Sequence, residues 1–218
     1  MKPRGRGGAA DPESTRAALL EAGTHVFAER GFKGATADLI ARRARANKAM
    51  INYHFGSKKG LYQAILTAIF TEMATRFRGI RSADRSAPEQ LRQFVAIFAD
   101  LARAHPAFPV MFMREVLSGG EHMRREEFVC LLGAFAQVRE AVEQGKADGT
   151  LRDLDPLITH FSLMGSLCFF FIVEPFRRRA FREAGLSLPA PEPAAFVAHM
   201  QELVSRGLAT DAPARRKS

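Results

Sequence analysis

Tryptophan is absent from this sequence of 218 residues, and tyrosine and cysteine occur only twice each. Cys130 and Cys168 stand far apart among apolar neighbours. A disulfide framework or a thiolate zinc site is therefore not expected, and both thiols read as buried and reduced. Sustained strand alternation with hairpin signals is missing, which leaves an all-helical chain. No fixed-period repeat occurs, which argues against a solenoid. Enzyme signatures are missing too. There is no Gly-x-Ser-x-Gly elbow and no Gly-x-Gly-x-x-Gly after a strand, and GSKKG at 56–60 lacks the Gly-Lys-Ser/Thr order of a phosphate loop. No histidine pair has the His-x-x-x-His spacing of a helix-borne metal site, so no metal, cofactor or catalytic residue is expected.

The opening MKPRGRGGAADPES is basic with no apolar stretch behind it, so a secretory signal is not expected and the reading is cytoplasmic. The one long charge-poor run, residues 156–173, is interrupted by Thr159, His160, Ser162 and Ser166 and closed by Glu174-Pro175. It has no flanking belt of Trp or Tyr. A run of this kind reads as a core or dimer-interface helix rather than a membrane span.

What is present is ordinary globular composition, 47% hydrophobic and 25% charged, which argues against disorder over most of the length. The charge is unevenly placed. Residues 1–60 hold twelve Lys or Arg against five Asp or Glu, +7 of the total +9. A concentrated positive field attracts nucleic acid or an anionic membrane.

Helical spacing predicts about nine helices. After a Gly- and Arg-rich arm (1–10) that reads as disordered, Leu19, Ala22, Val26 and Phe27 share a face until Gly31 stops the helix. Thr36 is an N-cap for a short second helix with Leu39, Ile40 and Ala44, and Asn47 is a cap for a short third. A long fourth helix covers about 58–78, followed by a polar linker to Pro88. Further helices are expected at about 89–105, 107–117, 122–145, 156–174 and 193–207, with a disordered basic tail at 209–218. The domains so read are a helix-turn-helix at 11–57 and a helical domain at 58–208.

Two short helices joined by a tight turn inside the basic part of the chain meet the requirements of a helix-turn-helix. Small Ala41 permits close approach, and Ile40, Ala44 and Ile51 supply apolar contact. Lys48 and Asn52 carry donors for base edges, with Ala46 and Met50 able to make close contact in the major groove. Tyr53, His54, Lys58 and the helix start at Thr36 suit phosphates.

The stretch TADLIARRARANKAMINYHFGSKKGLYQAI resembles the DNA-binding domain of the TetR family of bacterial regulators, over residues 14–66. Thr36, Ile40-Ala41, Tyr53-His54-Phe55, Ser57-Lys58 and Leu61 carry the resemblance. It implies an all-α homodimer with an N-terminal three-helix DNA-binding domain and a helical ligand-binding and dimerisation domain. It also implies a double-stranded DNA operator and repression relieved by a small-molecule effector. One position departs from the pattern. Arg45 stands in the turn where the family has Gly, at a cost of roughly 1 kcal/mol if φ is positive.

The remaining two thirds offer soft and aromatic side chains able to line a pocket: Phe94, Phe98, Phe108, Met111, Phe112, Phe128, Phe135 and Met164. Glu115 and His160 are polar candidates to orient an effector. Helices 156–174 and 193–207 are expected to form a four-helix interface with their partners. Two other classes stay in view: an all-helical small-molecule-binding protein or enzyme, and a basic membrane-surface protein. The second would expose apolar residues opposite its charges.

Overall fold

A computed structural model describes residues 11–80, 85–187 and 191–210. The expected arm at 1–10 and nearly all of the expected tail lie outside them. Among the described residues there are nine helices and no strand: α1 (Pro12–Gly34), α2 (Ala37–Arg43), α3 (Ala49–Phe55), α4 (Lys58–Arg78), α5 (Ala87–Ala104), α6 (Phe108–Leu117), α7 (Arg125–Asp148), α8 (Pro156–Glu183) and α9 (Pro193–Gly207). They divide into two compact units. The first is residues 1–68 with Arg114–Met123, and the second is Ile69–Met113 with 124–218.

In the first unit, Asp11 caps α1 and Pro12 opens it, where a missing N–H costs nothing. Leu19, Val26 and Phe27 of α1 and Leu61, Tyr62 and Leu66 of α4 are buried, and Phe27 meets the Tyr62 ring edge-on at 4.7 Å. Gly23 makes that approach possible, since a Cβ there would stand 3.1 Å from Ile65 Cδ1 and 3.2 Å from Leu61 Cδ2. Gly31 breaks α1 as its sequence position implies, with φ 68° and ψ 175°, although a last helical turn follows as far as Gly34. Gly60 is also obligatory. A Cβ on it would collide with the Phe55 carbonyl oxygen, and this contact seats the start of α4 on the end of α3.

In the second unit, α5 is the central helix and packs on α7, α8 and α9. Its N-terminus carries a reciprocal cap. The Glu89 carboxylate accepts from Ser86 N at 2.8 Å and from the Ser86 hydroxyl at 2.7 Å. Phe94 and Phe98 are fully buried, and Phe94 stacks on Phe77 at 4.7 Å between ring centroids. Each such ring contributes roughly 1.5–3 kcal/mol by leaving water. Gly145 of α7 admits Leu151 and Ala87, both of which a Cβ would meet inside 3 Å. The turn after α7 pairs with the chain after α9 through Arg152 N to Leu208 O (3.0 Å) and Thr210 N to Thr150 O (3.2 Å).

The apolar helix is longer than its sequence suggests. Glu174-Pro175 does not close α8, which runs nine residues further with Pro175 inside it. An Arg178–Glu174 ion pair spans the proline turn, and the helix ends where Gly185 takes φ 65°. There Gly185 N bonds Arg182 O and Leu186 N bonds Phe181 O, which satisfies the terminal carbonyls.

Candidate nucleic-acid interface

The turn between α2 and α3 is closed by two backbone bonds, Ala46 N to Ala41 O at 3.0 Å and Arg45 N to Arg42 O at 3.2 Å. This is the double-bonded helix stop that places the intervening residue in the left-handed region. Arg45 is that residue. Its φ is 52°, the only positive value for a non-glycine among the described residues. The turn therefore keeps the geometry a glycine would give and bears the strain.

Short helices need caps because they cannot bury enough of themselves to form otherwise. Thr36 Oγ1 accepts from Leu39 N at 3.2 Å and starts α2. Asn47 Oδ1 accepts from Ala49 N at 2.9 Å and starts α3. Ile40 and Ala41 of α2 and Ile51 of α3 are buried, as their apolar character requires. Gly56, with φ 73°, closes α3, and the Ser57 hydroxyl accepts from Gly60 N to start α4.

The polar side of this motif divides into two groups. Thr36, Arg45, Asn47, Lys48, Asn52 and Tyr53 are exposed, Tyr53 at 73%, and Ala46 and Met50 are half-buried beside them. Lys48 reaches back to Asp38 at 2.8 Å, and that bond with the Lys48 charge holds the Asp38 carboxyl below its ordinary range. Both partners are solvent-exposed, so the pair is worth little to stability and is easily exchanged for another anion. Thr36, Asp38, Arg42, Ala46 and Lys48 line a recess along the α2–α3 seam. Arg42 and Asp38 belong to this face but carry no motif signal in the sequence.

Two candidates turn inward. The Lys58 ammonium donates to Phe32 O and Ala35 O, both at 2.8 Å, and lies 4.2 Å from the Phe32 ring centroid. It thus holds carbonyls at the α1–α2 break. His54 keeps its Nε2 enclosed with no partner among the described residues, between the rings of Tyr53 and Phe55.

Behind the motif, a polar network is buried inside the first unit. Glu115, 2% exposed, accepts from the Tyr62 hydroxyl at 2.7 Å and from His122 N and Nδ1, both at 3.1 Å. Burial, and then the bond to Glu115, push the Tyr62 phenol far up from its ordinary value, so it stays a donor. Phe32 packs on both partner rings, at 5.3 Å from Tyr62 and 4.1 Å from His122. Glu115 was a candidate to orient an effector together with aromatic residues of the second unit. It belongs instead to the first.

The other effector candidates lie in the second unit, where they form two clusters. Phe98, Phe108 and Phe112 make one, with Phe108 at 6.4 Å and 5.8 Å from the other two. Phe94 and Phe135 make the other, facing His160 edge-on at 6.0 Å and 5.6 Å. Met111 is buried, Met164 half-buried, and Phe128 is exposed on α7. Burial pushes the His160 pKa down, and its Nδ1 is enclosed with no hydrogen-bond partner among the described residues. A groove of about 380 Å³ opens between α4 and α7, lined by Thr71, Phe77, Val129, Cys130 and Gly133 among others. None of the ten candidates lines it. Burial raises both thiol pKa values, that of Cys168 to about 12, as reduced structural cysteines require.

Two short capped helices in a basic unit, with donors on the outer side of the second, define a helix-turn-helix of the kind that binds DNA. Relatives and fold agree. The model of bacterial regulatory proteins of the tetR family matches residues 19–65, and that of the tetracyclin repressor-like C-terminal domain matches 88–204. The transcriptional repressor NicS of Pseudomonas putida is 36% identical over 163 residues, 73% of this chain and 76% of its own. The repressor SCO4008 of Streptomyces coelicolor is 28% identical over 176 residues, 78% of this chain and 85% of its own. The ketosteroid transcriptional regulator KstR2 of Mycobacterium tuberculosis shares the fold, with a TM-score of 0.72 over 95% of this chain and 100% of its own at 19% identity. The chain belongs to the TetR family of bacterial regulators.

Proposed function

We propose that this regulator is a cytoplasmic repressor that binds a palindromic operator as a homodimer and is released by a small, largely apolar effector. The observation that carries the DNA half is the exposed row Asn47, Lys48, Asn52 and Tyr53 on and before α3, set by a turn of fixed geometry. Lys48 and Asn52 read base edges, and Thr36, Arg45 and Tyr53 meet the phosphates. Lys58 acts through the fold, because its ammonium is engaged by backbone carbonyls.

Dimerisation is supported by the exposed apolar face of α8. Ile158, Phe161, Phe169 and Phe176 are 65–70% exposed, and only 22% of the most apolar stretch of that helix is buried. By length and composition α8 could also cross a membrane. In a DNA-binding family such a face is better explained by a second copy of the chain. Two recognition helices on one side of B-DNA are then spaced by about 34 Å.

The effector reading rests on His160. A buried nitrogen without a partner among the described residues is costly, and it stands among the rings of Phe94 and Phe135. An effector donating to Nδ1 from an apolar body would remove that cost. Its leverage on DNA affinity is limited to its differential affinity for the two states.

The test begins by selecting bound duplexes from a random pool. Lys48→Ala is expected to relax base preference at one position per half-site, by about 1–3 kcal/mol, and to leave the others intact. Uniform weakening on every sequence would overturn the base-reading role. Phe169→Asp is expected to convert the dimer to monomer by analytical ultracentrifugation. A dimer of unchanged stability would remove α8 from the interface. Compounds that release the selected duplex should lose potency at least tenfold with His160→Phe.

A further inference from the structure

The first unit contains a cleft that the DNA-reading face does not use. It has a volume of about 330 Å³ and lies between the end of α1 and the last turn of α6 with the segment that follows it. The Tyr62–Glu115–His122 network forms part of its wall. A carboxylate can only accept, so the His122 Nδ1 must carry its proton toward Glu115. The opposite nitrogen, Nε2, has no partner among the described residues, and His122 lines the cleft. Nε2 is thus an acceptor in the neutral ring and a donor in the protonated one.

Arg30, Lys33 and Arg114 line the same cleft, and none of them has a carboxylate partner among the described residues. Arg114 lies over the end of α1. It lies against Gly31, where a Cβ would stand 2.9 Å from its Nη1, and donates to Ala28 O at 3.4 Å. The φ of 68° is what calls for glycine here. Two carboxylates oppose the three cations. Glu115 is already bonded by Tyr62 and His122, which leaves Glu121 as the opposing charge at the cleft. The excess charge is positive, and the half-buried ring of Phe32 beside Tyr62 and His122 adds a flat apolar wall.

We propose that this cleft is a second ligand site, for a small carboxylate with a flat unsaturated body, distinct from the effector site around His160. The carboxylate engages Arg114 with Lys33 or Arg30, a planar match that guanidinium favours. The body lies along Phe32, and a polar edge meets His122 Nε2. Nothing in this assignment depends on which operator the protein reads.

The experiment titrates the full chain with sodium benzoate at constant ionic strength, following the histidine ring resonances by proton–nitrogen correlation. The His122 signal is assigned by its loss in His122→Phe. Benzoate is expected to shift that signal saturably, to bind at least tenfold more tightly than acetate, and to lose at least tenfold in affinity with Lys33→Gln or Arg114→Gln. Glu121→Gln is expected to tighten it. Benzamide, with the same shape and no charge, is expected not to compete. Absence of a saturable His122 shift would overturn the site. Affinity indifferent to the Lys33 and Glu121 substitutions would overturn it too, as would benzamide binding as well as benzoate. Lys33 is exposed, so its variant keeps the test open if Arg114→Gln unfolds.

Discussion

The two units bury an ionisable group in aromatic surroundings and treat it in opposite ways. In the first, Glu115 accepts three hydrogen bonds, from the Tyr62 hydroxyl and from two nitrogens of His122. In the second, His160 stands between Phe94 and Phe135 with Nδ1 unpaired. A satisfied buried network fixes one arrangement of the chain, because any other leaves donors orphaned. An unsatisfied group does the reverse and leaves stability to be gained by whatever completes it. The unit that must present α3 in one register carries the first kind, and the unit read as responding to an effector carries the second.

The strongest way to break this comparison is Glu115→Ala. Removing the shared acceptor strands the Tyr62 hydroxyl and the His122 donors, and a loss of about 3–5 kcal/mol is expected in chemical denaturation. A loss below about 1 kcal/mol would mean that the network is not what holds Arg114–Met123 in the first unit. Phe94→Ala probes the other side. It empties a fully buried ring site stacked on Phe77, at a cost of about 3–5 kcal/mol less whatever relaxation recovers. A compound of the effector class should refill the space and restore part of the melting temperature.

His160→Phe sharpens the contrast with a smaller change of opposite sign. Replacing an unpaired buried nitrogen by carbon should be neutral or stabilising, by up to about 1–3 kcal/mol. The same variant tests the pH dependence. Burial lowers the folded pKa of His160 beneath its ordinary 6.5, so the unfolded chain takes up a proton first as pH falls. Stability should therefore decline as pH drops from about 6.5 toward the folded pKa, and be unaffected by this group above that range. His160→Phe should remove this part of the slope, and an unchanged profile would show that the ring is not shielded from water. Arg45→Gly gives the smallest effect. It relieves a left-handed non-glycine residue by about 1 kcal/mol. A rise in melting temperature together with weaker DNA binding would show that the strained arginine is kept for its contact.

Much of the framework was legible from periodicity and caps. Thr36 and Asn47 start their helices, Gly31 breaks α1, and Arg45, which stands out against the family's glycine, takes the positive φ that the turn demands. The end of α8 was not legible, because Glu174-Pro175 is a local stop signal and the helix nevertheless continues through it to Glu183. The destination of polar side chains was hardest to read. Lys58 looks like a phosphate contact in sequence and is a carbonyl clasp in the fold. Glu115 sits among effector candidates in sequence, yet bonds a tyrosine 53 residues away.

Sequence alone determined that this chain is helical and that its charge is concentrated near a short helix-turn-helix. Those properties follow from composition and local energies: a 3.6-residue period and caps within three or four residues. Only the tertiary structure decided which carboxylate is satisfied, which histidine is left unpaired and which lysine faces inward. A buried polar group takes its energy from the partners the fold brings to it, and sequence spacing does not specify them.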